Sequence, residues 1–332
     1  MGNKKIDVIA TTISGSIKDW GKVKRIIPLF KECGQNNVSL FVVDRHSEAR
    51  KKTTELIKTG SRIIISAGGS GTFNSILEGC LDSGINLNEV KLGFLRKGSA
   101  DLIGKTLGMP DNIEEAIEVF NTSINEDKTV RCDIIQAVSE ESCNPPRHFI
   151  GYGGAEIFGN IPYFTENRFI KYYKGILSQL FGDLGPFFVG ASLATLRKTM
   201  RDLIHKKTKW QVYVDGEEVS ENYYQAMIIV NGDLGPDLPF AKSAPLGSGE
   251  FYLFAIRNKG LLKLSKQFKH AWDASILDNP DKWGFESYTI KESLEIKPDH
   301  NTIFPINVDG STMNCIQSAK FKICNQINLI SR

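Results

Sequence analysis

Residues 62–78 read Arg-Ile-Ile-Ile-Ser-Ala-Gly-Gly-Ser-Gly-Thr-Phe-Asn-Ser-Ile-Leu-Glu. An apolar strand pattern runs into Gly68-Gly69-Ser70-Gly71-Thr72 and then into a helix pattern. Glycines at such a turn let backbone N–H groups come close to a phosphate, and the amino end of a helix favours negative charge. The same glycines also suit a plain tight turn. The segment is not a Walker A loop, because no Gly-Lys-Ser/Thr follows. Nor does it have the spaced glycines of the dinucleotide fingerprint.

A second glycine turn follows in residues 92–110, where Gly98 and Ser99 fit a close backbone approach and Asp101 is a candidate for holding a metal or a ligand hydroxyl. Thr11-Thr12-Ile13-Ser14-Gly15-Ser16 forms a third such loop after the first strand pattern. Open α/β sheets bind ligands in the crevice at the carboxyl ends of their strands, so three loops of this kind would share one rim.

The elements that must carry these turns alternate. Strand patterns at 6–10, 39–43, 62–67 and 91–95 alternate with helical spacing at 18–33, 48–59 and 72–84, and a further helix covers 111–120 with Asp111 as its N-cap. Repeated βα units of this length predict a parallel sheet with helices on its faces. Near residue 128 the pattern changes. Strands are expected at 129–139, 148–154, 211–214, 224–231, 250–256, 288–296 and 304–308, with helices at 167–181, 193–205 and 260–272. The pattern predicts a parallel α/β domain over 1–130 followed by an antiparallel β-domain over 131–317. The strand-like stretch 320–330 is a candidate to return to the first domain, which would put 318–332 there.

Composition narrows the function classes. Of the 332 residues, 41% are hydrophobic and 24% charged, which excludes a disordered or fibrous chain. Lys and Arg number 41 against 38 Asp and Glu, a net charge of +3 that is too small to argue for nucleic acid as a partner. Cys33, Cys80, Cys132, Cys143, Cys315 and Cys324 form no C-x-x-C pair, and the five histidines have no zinc-site spacing. Reduced thiols in a cytoplasmic protein are the expectation. The apolar stretch after Lys5 is too short for a signal peptide, and position 6 is Ile where a myristoylation signal needs Ser or Thr. The longest apolar candidate, 175–196, is interrupted by Asp183, Gly185 and Pro186, short of the roughly 20 residues a membrane span needs.

Taken in order, the motifs resemble the diacylglycerol kinase catalytic-domain family, which includes bacterial lipid kinases, sphingosine kinases and ceramide kinases. The family's G-G-D-G-T-x-N-E is similar to Gly68-Gly69-Ser70-Gly71-Thr72-Phe73-Asn74-Ser75. Its P-x-G-T-x-N-D segment with the following L-G-x-P resembles Lys97-Gly98-Ser99-Ala100-Asp101 through Leu107-Gly108-Met109-Pro110. Arg131-Cys132-Asp133-Ile134, Gly151-Tyr152-Gly153-Gly154-Ala155-Glu156 and Val308-Asp309-Gly310 resemble its later segments. The resemblance implies an α/β nucleotide-binding domain over 1–130 followed by an antiparallel β-sandwich domain over 131–317, an active site in the cleft between them, ATP as donor, Mg2+, and a membrane lipid hydroxyl as acceptor. It places Ser14, Gly15, Gly68, Gly69, Ser70, Gly71, Thr72, Asn74, Gly98 and Ser99 around the nucleotide. It puts Asp101 in the catalytic magnesium network and makes Asp309 the general base. Glu156 is a candidate for recognising a polar headgroup. On the residues alone, Asp309-Gly310 also reads as a β-turn, as Asp215-Gly216 does.

The departures fall on acids. Ser70 stands for the aspartate of G-G-D-G-T, Ser75 for the following glutamate, and Ser248 for the aspartate of a later P-x-A-x-x-x-D-G-x-L segment that belongs to a structural metal site in some bacterial members. Losing carboxylates weakens magnesium binding. Two alternatives therefore stay open: a catalytically degenerate lipid- or nucleotide-binding relative, and an NAD kinase. Two basic groups, Arg197 to Lys209 and Arg257 to Lys269, the second interleaved with Leu261, Leu262, Leu264, Phe268 and Trp272, suit either a solvated face or peripheral contact with an anionic membrane. Oligomeric state is left open, a homodimer included.

Overall fold

The computed structural model describes residues 4–12, 17–96, 102–140, 145–165, 185–204 and 207–332. The chain divides into two compact units, the first made of residues 1–134 and 325–332, the second of residues 135–324.

The first unit carries β1 (Ile6–Thr11), α1 (Ile17–Glu32), β2 (Val38–Val43), α2 (His46–Lys58), β3 (Ile63–Gly68), α3 (Ser70–Asp82), β4 (Lys91–Arg96), α4 (Leu102–Thr106), α5 (Ile113–Glu126) and the start of β5 (Thr129–Ser139). The strands stand in the order β2-β1-β3-β4, all parallel. Every residue of β1 and β3 is buried, as in a parallel sheet covered on both faces. The edge strand β2 is only partly covered. The α5 helix starts one residue later than Asp111 suggested: Asn112 is the N-cap, accepting from the Glu115 amide at 3.1 Å. Gly79 lets α3 pack on α2, because a Cβ there would lie 2.4 Å from the Arg50 carbonyl oxygen.

The second unit holds β6 (Arg147–Phe149), β7 (Tyr152–Glu156), α6 (Ile157–Thr165), α7 (Gly185–Ile204), β8 (Trp210–Val214), β9 (Glu217–Asn222), β10 (Tyr224–Val230), β11 (Phe251–Arg257), α8 (Leu261–Trp272), α9 (Pro280–Trp283), β12 (Phe285–Ile290), β13 (Leu294–Pro298), β14 (Ile303–Val308), β15 (Ser311–Ile316) and most of β16 (Ala319–Ile330). One antiparallel sheet has the order β12-β11-β10-β7-β14-β15. Facing it, β8 pairs with β9 and β13, and β13 with β16. Trp210, Leu294 and Phe321 from one layer pack with Met227, Leu253 and Phe304 from the other in a single buried cluster. Trp210 meets Phe304 edge-on at 4.9 Å between ring centroids. This is a β-sandwich. The end of β16 pairs in parallel with β4, Asn328 opposite Lys91, so the chain terminus belongs to the first unit.

Two strands expected to be continuous are interrupted. The 148–154 stretch breaks between β6 and β7, where the amides of Ile150, Gly151 and Tyr152 turn to Asp309. The 288–296 stretch breaks between β12 and β13, where the amides of Lys291, Glu292 and Ser293 turn to Asp215. In both places a side chain takes the donors that a ladder would have used. The expected helix at 167–181 lies outside the described residues.

Candidate functional site

The parallel order places the glycine turn. From β1 the chain goes to β2 on one side and then to β3 on the other, so the order reverses between β1 and β3. That is the switch point at which open α/β sheets bind ligands. Thr11 closes β1, Gly68 closes β3, and Gly68 pairs with Arg96 at the end of β4. Gly69 is the N-cap of α3, with no side chain to satisfy the first turn. The first intrahelical bonds run from the Thr72 and Phe73 amides to the Gly69 carbonyl. The amides of Ser70 and Gly71 therefore precede the helical ladder and face outward, as at anion-binding helix starts.

The glycines are required by contact. A Cβ on Gly68 would lie 2.4 Å from Thr72 Oγ1, and one on Gly71 would lie 2.8 Å from the ring of His46. On Gly69 it would meet nothing within 4 Å, which leaves that position open to an approaching group. The Thr72 hydroxyl is buried and shares a 2.7 Å hydrogen bond with the Thr11 hydroxyl, fixing the start of α3 to the end of β1. Ser70 is exposed, the Ser75 hydroxyl donates to the Gly71 carbonyl at 2.8 Å, and Asn74 Oδ1 is buried without a partner. Thr11, the first residue of the candidate loop after β1, and His46, to which no spacing rule points, complete this corner. Ser14, Gly15, Gly98, Ser99 and Asp101 lie outside the described residues.

In the second unit, Asp309 and Gly310 form the two-residue connection between β14 and β15, both with positive φ (43° and 83°). That is the geometry of the tightest β-hairpins. The Asp309 carboxylate folds back on the chain and accepts from the amides of Ile150 (3.0 Å), Gly151 (3.2 Å) and Tyr152 (2.7 Å). Burial pushes this carboxyl up to about 6, and the three amides hold back part of that rise. Below neutral pH the group therefore exchanges a proton in the range useful to a general base.

Glu156 ends β7 with φ 60° and is buried. Its carboxylate accepts from Trp210 Nε1 and Arg201 Nη2, each at 2.7 Å, and lies 3.0 Å from Lys198 Nζ. Lys198 also meets Asp202 at 3.1 Å. The proposed headgroup reader is thus held by three donors of its own unit and ties α7 to the sandwich.

Beside this cluster, α6, α7, β10, β11 and α8 enclose an apolar cavity lined by Phe158, Ile161, Ala191, Ile228, Phe240 and Leu264. Among the described residues, no group of three or more His, Cys, Asp or Glu side chains could hold a metal ion. The hydroxyl of Ser248 instead closes a local turn with Glu250.

An α/β unit with a phosphate-type turn at its switch point, followed by a β-sandwich, defines the NAD kinase and diacylglycerol kinase type of fold. A diacylglycerol kinase structure from Bacillus anthracis superposes with a TM-score of 0.64 at 14% identity, covering 99% of this chain and 97% of that one. An ATP complex of an NAD kinase from Archaeoglobus fulgidus gives 0.51 at 12% identity, covering 98% and 93%. The sequence model of the diacylglycerol kinase catalytic domain matches residues 5–136. A diacylglycerol kinase of Staphylococcus haemolyticus is 28% identical over 144 residues, which is 41% of this chain and 39% of that protein. The match thus spans about two fifths of the curated relative's length. Residues 5–136 thus resemble the diacylglycerol kinase catalytic domain in sequence, and the likeness of the whole chain to the solved structures is one of fold.

Proposed function

We propose that this protein is an ATP- and Mg2+-dependent lipid kinase that transfers the γ-phosphate to a hydroxyl of a diacylglycerol-, ceramide- or sphingosine-like lipid. The observation that carries the reading is the Gly68–Thr72 turn at the switch point, with the amides of Ser70 and Gly71 ahead of the α3 ladder. Backbone donors of that kind hold phosphates and leave the nucleophile to be oriented by another group. Asp309 is the group we assign to accept the hydroxyl proton, its carboxylate fixed by three amides. Asp101 is the carboxylate we assign to holding magnesium, which would neutralise phosphate charge when bound. The apolar cavity of the sandwich suits an acyl chain.

The acceptor lies in a bilayer, so we also propose peripheral contact with an anionic membrane through α8. Leu262 there is 94% exposed, and Lys263, Lys266 and Lys269 are exposed beside it. No helix among the described residues is long and apolar enough to cross a membrane.

Ser70 and Ser75, and the lack of a metal-ligating cluster among the described residues, favour one competing reading: a non-catalytic lipid- or nucleotide-binding relative. Labelled ATP, magnesium and a lipid panel in mixed micelles, with Asp309→Asn alongside, separate the two. Transfer to one lipid class that the variant abolishes supports the kinase. ATP binding without transfer to any lipid supports the relative, and no ATP binding sinks the nucleotide assignment and the kinase with it.

A further inference from the structure

Among the described residues that line it, the cavity bounded by α6, α7 and α8 is apolar except at three side chains, Gln225, Asp237 and Gln267. Asp237 has contacts of its own. Gln225 sits at the irregular step in the pairing of β10 with β11. Gln267 is different. It lies on the α8 face that lines the cavity, with Leu264, Phe268 and Ala271 at helical spacing, and it is 1% exposed. Its Nε2 donates to two carbonyl oxygens, Arg257 at 2.9 Å and Trp283 at 2.6 Å. Two acceptors fix which end of the amide is nitrogen. The other end, Oε1, is buried and has no hydrogen-bond partner.

A buried carbonyl-type oxygen left unpaired is costly, and native proteins satisfy nearly all such groups. We infer that the unpaired Oε1 of Gln267 is a specificity determinant that accepts a hydrogen bond from the bound lipid. The ligand must then bring a neutral N–H or O–H donor alongside its chain. A charged amine would have to draw on Asp237, the one acid of the described lining, which has contacts of its own, so a neutral donor suits the otherwise apolar wall better. Resting on the kinase reading, the inference goes one step further. The hydroxyl that receives phosphate is committed to transfer, so the donor to Gln267 is a second one. A diacylglycerol has no second donor, since both its chains are esters. The acceptor class this selects is a lipid whose chain is joined through an amide N–H or carries a second hydroxyl.

The test measures lipid binding without ATP, by calorimetric titration of monomeric ligands that share one dodecyl-chain scaffold. The set is a dodecanoyl amide, its N-methyl amide, the dodecanoyl ester, and an ether with a secondary hydroxyl in place of the amide. The amide or the hydroxy-ether is expected to bind roughly tenfold or more tighter than the N-methyl amide and the ester. Which of the two wins tells the amide source from the hydroxyl source. In Gln267→Met that gap disappears, with ester affinity retained. The variant also removes the two N–H bonds that anchor α8, so the N-methyl amide, which deletes the donor from the ligand, carries the test if the variant fails to fold. Equal affinities across the set overturn the inference, and would mean that a resident water satisfies Oε1; the kinase reading survives that result. No binding of any member sinks the lipid reading of the cavity and the inference together.

Discussion

Asp309 and Asp215 hold the same place in two Asp-Gly hairpins, and each carboxylate accepts from three consecutive backbone amides of another segment, 150–152 for Asp309 and 291–293 for Asp215. Both have left-handed φ, 43° and 52°. Their environments separate them. Burial pushes the Asp309 carboxyl up to about 6 despite its amides. At Asp215, nearer the surface, burial is the largest single influence and raises the value, but the three amides and the Lys291 charge together outweigh it, and the carboxyl sits below its ordinary value. The turn itself is thus structural at both sites, and burial makes Asp309 the functional candidate.

The pH dependence follows with its sign. A folded value raised above the ordinary 3.8 means that the stability linked to Asp309 is complete below that value and is lost as pH rises through about 6. Asp215 acts the other way: its contribution is present above 3.8 and is lost as pH falls through its lower folded value. If Asp309 is the general base, kcat/KM rises about tenfold per pH unit up to about 6 and then levels off. Asp309→Asn lowers kcat roughly 10²- to 10⁴-fold and removes that limb of the profile. Asp215→Asn leaves the profile intact and costs stability on the order of 1 kcal/mol at neutral pH. A profile with no step near 6, read from initial rates on a soluble short-chain lipid, rules Asp309 out.

The glycine turn separates packing from ligand approach. Gly68→Ala places a methyl against Thr72, whose hydroxyl is already committed to Thr11, and should cost roughly 1–3 kcal/mol in thermal unfolding. Gly69→Ala meets no atom within 4 Å and has an extended, negative φ, so stability should stay within about 0.5 kcal/mol. If this turn cradles phosphates, the new methyl blocks their approach, and ATP affinity falls at least tenfold with the fold intact. Unchanged ATP binding in Gly69→Ala would remove the phosphate role from the turn.

How far the sequence could be read depended on what each signal rests on. The parallel strands and their helices follow from continuous apolar runs and 3.6-residue spacing, and both appear close to where the patterns put them. The turn at 68–72 was legible because strand, glycines and helix are contiguous. The breaks after Phe149 and Ile290 were not, because the donors there bond to aspartates 159 and 76 residues away, and no local pattern encodes that. The strands β9 and β15 were missed as well. The first is a polar edge strand and the second mixes Ser, Thr and Asn with apolar residues, so neither shows clean alternation. Gln267 was read only as one residue of a basic amphipathic helix, since an orphaned oxygen is a property of packing.

Glu156 offers a sharp choice between two roles. Its carboxylate is shared by Trp210, Arg201 and Lys198, and Lys198 is almost fully buried. Glu156→Gln would leave the buried ammonium with Asp202 alone, which should destabilise the protein by about 3 kcal/mol. A group that only reads a headgroup would instead raise KM and leave the unfolding midpoint unchanged. Thermal unfolding and KM measured on one preparation distinguish these outcomes.

The membrane proposal concentrates on α8, and its parts can be varied separately. Leu264, Gln267, Phe268 and Ala271 face the cavity, whereas Leu262 projects into solvent with Lys263, Lys266 and Lys269 exposed around it. Leu262→Glu removes the apolar anchor and adds a repelled charge. Lys263→Glu with Lys266→Glu reverses two charges, each worth about 1 kcal/mol near an anionic surface, or roughly fivefold in partitioning per charge removed. Sedimentation with vesicles rich in an anionic phospholipid should therefore fall for both variants, and for the native protein as salt rises. Because none of these side chains lines the cavity, turnover of a soluble short-chain lipid should stay near the native rate. If vesicle binding is indifferent to both variants and to salt, the exposed leucine and lysines are an ordinary solvated face, and the acceptor reaches the protein by another surface.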